Sequence, residues 1–262
     1  MNLTFSKYQG SGNDFILVDN RKLLLENQNI EIEKLCDRSF GIGADGLILI
    51  NQDEEYDFRM EYYNSDGKEA DMCGNGARCA IAFISDIEKN KTDFIFSSKN
   101  STHSGEIIEK LNPFCSIVKV SLTDPIILQD ESDYIIINTG VPHYVEFKEN
   151  IDDQDFVEIA RKIRFNDRFK PEGVNVNHAH IKDKKITLRT YERGVENETL
   201  SCGTGITATA IAAFIKGLVD IPVEVKAKGG SLKVHFTDKN GEISNIILEG
   251  PACKVFDGEV KI

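Results

Sequence analysis

The 262-residue sequence predicts an α+β chain of two pseudo-symmetric α/β lobes, each a mostly antiparallel sheet wrapped around a central buried helix. Three observations predict it. Cys73-Gly74-Asn75-Gly76 and Cys202-Gly203-Thr204-Gly205 are near copies placed almost half the chain apart. Each opens an apolar run: residues 77–84 carry only Arg78 as a charge, and residues 206–215 carry none. A helix that is apolar all round is buried on all sides. Elsewhere strand patterns outnumber helices too heavily for separate doubly wound domains.

Taken in order, the elements repeat. Gly12-Asn13-Asp14-Phe15-Ile16 stands where Gly140-Val141-Pro142-His143-Tyr144 stands in the second half. A helix follows each, over residues 30–38 and 153–164. Next, Phe40-Gly41-Ile42-Gly43-Ala44-Asp45-Gly46-Leu47-Ile48 matches the placing of Phe169-Lys170-Pro171-Glu172-Gly173-Val174-Asn175-Val176-Asn177. An apolar strand, a charged turn and a second strand come after each, the second strands being residues 58–64 and 186–192. An acidic loop then leads to each Cys-Gly-x-Gly element. Alternation over residues 116–122 and 231–236 predicts half-buried strands. The expected lobes are residues 1–115 with a returning segment 248–262, carrying Cys73, and residues 116–247, carrying Cys202.

Composition narrows the function classes. With 40% hydrophobic and 28% charged residues the chain reads as globular, and a net charge of −12 repels phosphate backbones, which argues against nucleic-acid binding. The start has no basic stretch leading into an apolar core, and the longest uncharged run, residues 199–215, is too short to span a bilayer; a cytoplasmic protein is expected. Six cysteines without a C-x-x-C pair are expected to be free thiols, with Cys36, Cys79, Cys115 and Cys253 as packing. Gly41-Ile42-Gly43-Ala44-Asp45-Gly46 fits a dinucleotide fingerprint, but it follows a helix pattern and enters a strand, the reverse of the order that motif needs. His178 and His180 share a strand face without a third ligand, so they are read as exposed or half-exposed, and His103 and His235 as surface or edge residues. Nothing marks a pyridoxal lysine. No metal or cofactor is expected.

The cysteines carry the chemistry. A cysteine at a helix start meets unpaired backbone N–H groups and the positive end of the helix dipole. Such sites lower a thiol pKa from about 8.5 into the range of about 3.5–7.5. The glycines let a ligand approach the backbone, whose N–H groups suit a carboxylate. One motif alone fits a structural helix start better than a catalytic one. Two copies at half-chain spacing suggest a two-base device, in which one thiolate removes an α-proton and the other thiol delivers one.

Longer segments resemble a known family. Lys7-Tyr8-Gln9-Gly10-Ser11-Gly12-Asn13-Asp14-Phe15, Asn64-Ser65-Asp66-Gly67, Met72-Cys73-Gly74-Asn75-Gly76-Ala77-Arg78-Cys79, Tyr191-Glu192-Arg193-Gly194, Ser201-Cys202-Gly203-Thr204-Gly205 and Gly250-Pro251-Ala252 resemble diaminopimelate epimerase from the first strand to the last. The resemblance implies a cofactor-independent interconversion of LL- and meso-diaminopimelate with Cys73 and Cys202 as acid and base. It places the backbone of Gly74, Asn75, Gly203 and Thr204 on the reacting carboxylate. Asn13, Asn64, Asn175, Glu192 and Arg193 fall on substrate-binding positions, and His143 and Glu192 on positions that tune the thiols. Two departures stand out: Val141 replaces an asparagine common in the family, and Gly46 a glutamine found in some members. Phe256 lies at a dimer-interface position usually held by tyrosine, so a homodimer is expected. Two other readings remain at this stage: a proline or hydroxyproline racemase or epimerase of the same fold, or a non-catalytic thiol redox or ligand-binding protein.

Overall fold

A computed structural model describes residues 2–22, 25, 31–89, 91–152 and 154–262. Ile30 and Asp153, where two expected helices begin, lie outside the described residues. The chain forms two compact units, Met1–Ser121 with Gly250–Ile262, and Leu122–Glu249.

The first unit comprises β1 (Asn2–Gly10), β2 (Asn13–Asp19), α1 (Ile32–Cys36), β3 (Gly46–Asn51), β4 (Phe58–Asn64), β5 (Glu69–Ala70), α2 (Gly74–Ile87), β6 (Asp93–Ser97), β7 (Thr102–Asn112) and β8 (Cys115–Ser121). Antiparallel pairs β1–β2, β3–β4, β6–β7 and β7–β8 alternate with parallel pairs β2–β3 and β4–β6. The returning C-terminal segment pairs antiparallel with β1, for example Phe5 with Gly258. The sheet curls around α2, which packs on β1, β2, β3, β4, β7 and β8. Every residue of α2 from Gly74 to Ser85 is buried, as its lack of a polar face requires. Strand side chains alternate between the two faces. Phe15 and Ile48 turn toward α2, while Ile16, Val18, Leu47 and Leu49 pack outward on Leu35 and Cys36 of α1. Each large apolar side chain so buried contributes about 1.5–3 kcal/mol.

The second unit comprises β9 (Ile126–Asp130), β10 (Tyr134–Asn138), β11 (Pro142–Phe147), α3 (Phe156–Arg164), a 3-10 turn (Asp167–Phe169), β12 (Asn175–Lys182), β13 (Lys185–Glu192), β14 (Asn197–Thr199), α4 (Gly203–Ile215), β15 (Val223–Ala227), β16 (Gly230–Lys239) and the first part of β17 (Glu242–Lys261). Its pairing repeats the first unit: antiparallel β10–β11, β12–β13, β15–β16 and β16–β17, with parallel β11–β12 and β13–β15. Helix α4, buried from Gly203 to Ala213 apart from Thr204, packs on β10, β11, β12, β13, β15 and β16. Helix α3 covers the outer face through Phe156 and Ala160 against Tyr144, Val174, Val176 and Tyr191.

The units divide after Ser121 and after Glu249, with β8 running to Ser121 as a partner of β7. Several expectations need revision. Cys115 and Cys253 are not free thiols in a packed core. Pairing of β8 with β17 brings them to a Cα separation of 4.0 Å, and they are joined in a disulfide, each half-buried. Cys36 and Cys79 are buried, and burial pushes both thiols up, Cys36 to about 11. His178 is buried against the Phe156 ring with its Nε2 3.4 Å from Glu146, so it is not on the exposed or half-exposed face expected, whereas His180 is half-buried. His103 is also buried, stacked near Phe96 and hydrogen-bonded with Ser101 and the Ser121 carbonyl. His235 stays half-buried beside Glu249, 2.8 Å away. The glycine run 41–46 follows α1 and enters β3, the order that excludes a dinucleotide fingerprint.

Candidate active site

In the first unit, Cys73 is the N-cap of α2, in extended backbone (φ −104°, ψ 118°), and its carbonyl accepts from Ala77 N at 2.7 Å. The first-turn N–H groups of an α-helix lack intrahelical partners, and no acidic residue stands in this first turn to compete for them. Asn13, at the start of β2, reaches the same place. Its Oδ1 lies 3.8 Å from Cys73 Sγ and accepts from Asn75 Nδ2 at 3.4 Å. Its own Nδ2 donates to Asp45 at 2.5 Å, and Asp45 is in turn held by Arg38 at 2.8 Å. That orientation is enforced, because Asp45 also accepts from the Asp14 backbone N–H.

Asn64 closes β4 at the same end of the sheet. Strand register pairs it with Gly46, which pairs with Phe15, and Ser65 N donates to the Asp45 carbonyl at 3.1 Å. Its Oδ1 accepts from the Tyr62 hydroxyl at 2.8 Å. Gly46 has no room for a side chain: an added Cβ would lie 2.4 Å from the Tyr63 carbonyl oxygen and 2.6 Å from the Tyr62 ring. The space a glutamine would start from is therefore filled by Tyr62.

In the second unit, Cys202 is the N-cap of α4 (φ −119°, ψ 109°) with the same carbonyl bond, here from Ile206 N at 2.9 Å. Its Sγ lies 3.4 Å from Thr204 Oγ1, which is 2.9 Å from His143 Nε2. His143 is fully buried, and burial, reinforced by the charge of Arg193, lowers its pKa to about 3 despite the hydrogen bond with Asn177. The imidazole is neutral at ordinary pH. Its tautomer follows from Asn177, whose Nδ2 donates to the Tyr144 carbonyl at 3.2 Å and points at His143 Nδ1 at 3.0 Å. The shorter contact makes Nδ1 the acceptor, so Nε2 carries the hydrogen and donates to Thr204, while Asn175 Nδ2, farther away, makes no hydrogen bond with Nε2. The Thr204 hydroxyl bridges His143 Nε2 and the Cys202 sulfur.

The remaining expected residues gather around this chain. Asn175 Nδ2 lies 3.4 Å from His143 Nε2, and its Oδ1 accepts from Arg193 N at 2.8 Å. The Arg193 guanidinium donates to the Glu172 carbonyl at 3.3 Å, and Glu192 accepts from the Thr199 hydroxyl. Val141 stands in the β10–β11 turn and has no polar group to offer. Thus Cys73, Asn13 and Asn75 join directly in one unit, and Cys202, Thr204, His143, Asn175 and Arg193 in the other. Asn64 joins its group through strand register, and Glu192 follows Tyr191 at the end of β13.

The chain is similar to known proteins over nearly its whole length. A family model described as diaminopimelate epimerase matches residues 5–110 and 135–255. The chain belongs to the diaminopimelate epimerase family. It is 45% identical over 256 residues to the diaminopimelate epimerase of Flavobacterium psychrophilum, covering 96% of this chain and 97% of the relative. It is 40% identical to that of Aquifex aeolicus, covering 98% of each. Among solved structures, a phenazine biosynthesis protein of the PhzF family from Bacillus anthracis superposes with a TM-score of 0.77 at 16% identity, covering 100% of both chains. A hydroxyproline epimerase from Agrobacterium vitis does so with a TM-score of 0.72 at 13% identity, covering 99% of this chain and 91% of that one. These two likenesses speak for the fold.

As a member of the diaminopimelate epimerase family the chain is an isomerase. Sequence reasoning missed three of the residues that build its two cysteine sites. Asp45 fixes Asn13, Asn177 fixes His143, and Arg78 lies buried in α2 against Gly74 and Asn75. The repeat held the signal for Asn177, because it replaces the apolar Ile48 at the matching position of a strand that should be apolar. Among the described residues no group of three His, Cys, Asp or Glu side chains could hold a metal ion, and no helix is long and apolar enough to cross a membrane.

Proposed function

We propose that this enzyme interconverts LL- and meso-diaminopimelate by proton transfer at the α-carbon, with Cys73 and Cys202 as the two acid/base groups and without pyridoxal phosphate or metal. The observation that carries this reading is the same device built twice: a cysteine N-cap, an acid-free first turn and a buried helix behind it. One thiolate takes the α-proton while the other cysteine, as a thiol, returns a proton to the opposite face of the carbon. The charge growing on the substrate carboxylate is met by backbone N–H groups of Gly74, Asn75, Gly203 and Thr204. The distal, unreactive end is held by Arg193, whose fork suits a carboxylate, by Glu192, which accepts from an ammonium, and by Asn13, Asn64 and Asn175. His143 tunes Cys202 as a neutral donor relayed through Thr204 rather than as a titrating base.

The same reading takes the enzyme as a cytoplasmic homodimer. Val255 and Phe256, 55% and 45% exposed on the closing strand, support an apolar contact there. The test is incubation in deuterated water, with diaminopimelate and proline side by side and no added cofactor. Deuterium should enter LL-diaminopimelate at one α-carbon and leave proline untouched. Exchange into proline alone would transfer the reading to a proline racemase, and no exchange into either would leave a non-catalytic thiol protein.

A further inference from the structure

Arg78 is among the largest fully buried side chains of the described residues, at 0% exposure, and it is a cation. Its contacts are few and neutral. One guanidinium nitrogen donates to the Gly74 carbonyl at 3.2 Å, the other to Asn75 Oδ1 at 3.0 Å and Ser11 Oγ at 3.5 Å, while Nε has no partner. The backbone of Gly10 closes over the second nitrogen, since a Cβ there would come within 3.4 Å of it. Among the described residues no carboxylate forms an ion pair with Arg78, and Asp14 on β2 is engaged by Lys7 and Arg38. An unpaired buried cation is strongly unfavourable, so such charges are found beside an anion or give up their proton.

Arg78 donates to Asn75 Oδ1, and Asn75 Nδ2 shares the Asn13 Oδ1 with the Cys73 sulfur, so the guanidinium is one side chain removed from that thiol. Cys79 and Cys73 are the two titrating groups whose charge bears on it. Cys79 is itself fully buried, and burial holds it in the thiol form. Cys73 is the group left to carry the balancing charge, and it also sits at the helix N-terminus, where a thiolate is favoured. The second unit has no counterpart. Thr207 stands at the matching position of α4 and satisfies the matching carbonyl, Gly203 O, at 2.9 Å with a neutral hydroxyl.

We propose that Arg78 is a positioning residue that holds Cys73 as the resting thiolate, supplying from within α2 a counter-charge that α4 does not carry. It rests on the reading of Cys73 as one of the acid/base pair. Burial already lowers the guanidinium to about 10, the direction expected of a cation whose balancing anion is only a thiolate. Cys202, whose helix carries no such counter-charge, is then the resting thiol. The resting enzyme is poised to take a proton at Cys73 and give one from Cys202. The proton accepted by Cys73 and the one lost by Cys202 leave the net charge of the pair unchanged.

The experiment is pulse alkylation of the full chain with iodoacetamide across pH 5–9, with Cys73 and Cys202 quantified separately by peptide mass spectrometry. In the wild-type protein the Cys73 midpoint lies below that of Cys202. In Arg78→Gln it rises by about 1–3 pH units, the span expected on losing a close opposite charge, while the Cys202 midpoint stays, serving as an internal check on the fold. Arg78→Lys keeps most of the wild-type profile. A Cys73 midpoint unmoved in Arg78→Gln overturns the proposal. If Arg78→Gln does not fold, which labelling of the buried Cys79 would reveal, the wild-type order and Arg78→Lys decide, and a wild-type Cys73 midpoint above that of Cys202 overturns the proposal. Because labelling needs no substrate, failure of the epimerase reading would show separately, as absent deuterium exchange with an intact labelling profile.

Discussion

In the first unit the strand positions that wall α2 are Phe15, Gly46 and Ile48; in the second the matching positions facing α4 hold His143, Asn175 and Asn177. The backbones there pair alike, Phe15 with Gly46 and His143 with Asn175, each across a parallel ladder. Even the helix glycines meet the matching residues. A Cβ on Gly76 would touch Ile48 and Phe15, and one on Gly205 would touch Asn177 and His143. One framework therefore presents its cysteine in two environments, a largely apolar wall with a charged helix and a polar wall with an uncharged helix. The turn positions differ in the opposite sense, with Asn13 opening β2 and Val141 just before β11. Symmetry of backbone supplies two thiols, and the asymmetry of their walls sets them in different surroundings.

Adding a methyl at the two helix glycines is the strongest way to expose that difference. At Gly205 the new carbon would lie 2.7 Å from Asn177 Oδ1, which is fixed by the Thr190 hydroxyl, His143 and the Tyr144 carbonyl. Gly205→Ala should cost about 1–3 kcal/mol of stability, as overpacking does. At Gly76 the nearest atom is the Ile48 δ-methyl at 3.0 Å, which can rotate away, so Gly76→Ala should stay within about 1 kcal/mol of wild type. Urea unfolding midpoints compare the two, and equal losses would erase the distinction between the walls.

His143 gives the second unit a pH response that Phe15 cannot give the first. Its folded pKa of about 3 lies below its ordinary value of 6.5, so the unfolded chain binds the extra proton first as pH falls. Its neutral burial contributes stability that is fully present above pH 6.5 and is lost on acidification toward pH 3. Between pH 7 and pH 5 this single group should remove about 2 kcal/mol. His143→Asn should be less stable at pH 7 but lose correspondingly less over that interval. Parallel losses in the two proteins would show that His143 is not the group responsible.

The smallest expected effect comes from making the two turns alike. Val141→Asn restores an amide where Asn13 stands in the first unit. It should lower KM for diaminopimelate by about 2–10-fold, the worth of one hydrogen bond, with kcat within about 2-fold. Steady-state kinetics decide it, and an unchanged or higher KM would mean that position 141 does not reach the substrate.

The architecture was legible because helix burial and strand alternation are written in local hydrophobicity. Arg78 alone breaks the apolar run of α2, and nothing breaks that of α4, so both central helices could be placed before their sheets were seen. Cys73 and Cys202 stand out in the sequence as paired helix starts, borne out as N-caps of α2 and α4, because a repeat at half-chain spacing marks positions that no single motif would. What stayed hidden depends on non-local pairing. Cys115 and Cys253 meet only through β8 and β17. His178 and His103 are buried by Phe156 and Phe96, which come from other elements. Asn177 and Asp45 act by holding His143 and Asn13, a role with no sequence signature of its own.

The claim that one device serves twice is tested most directly by Cys73→Ser and Cys202→Ser, each assayed with LL- and with meso-diaminopimelate in deuterated water. Each variant should lose reversible epimerisation by at least about 100-fold, the lower end of what a positioned acid or base supplies, while retaining its wild-type unfolding midpoint. Full turnover in either variant would contradict the account, because one thiol would then be doing the work assigned to two.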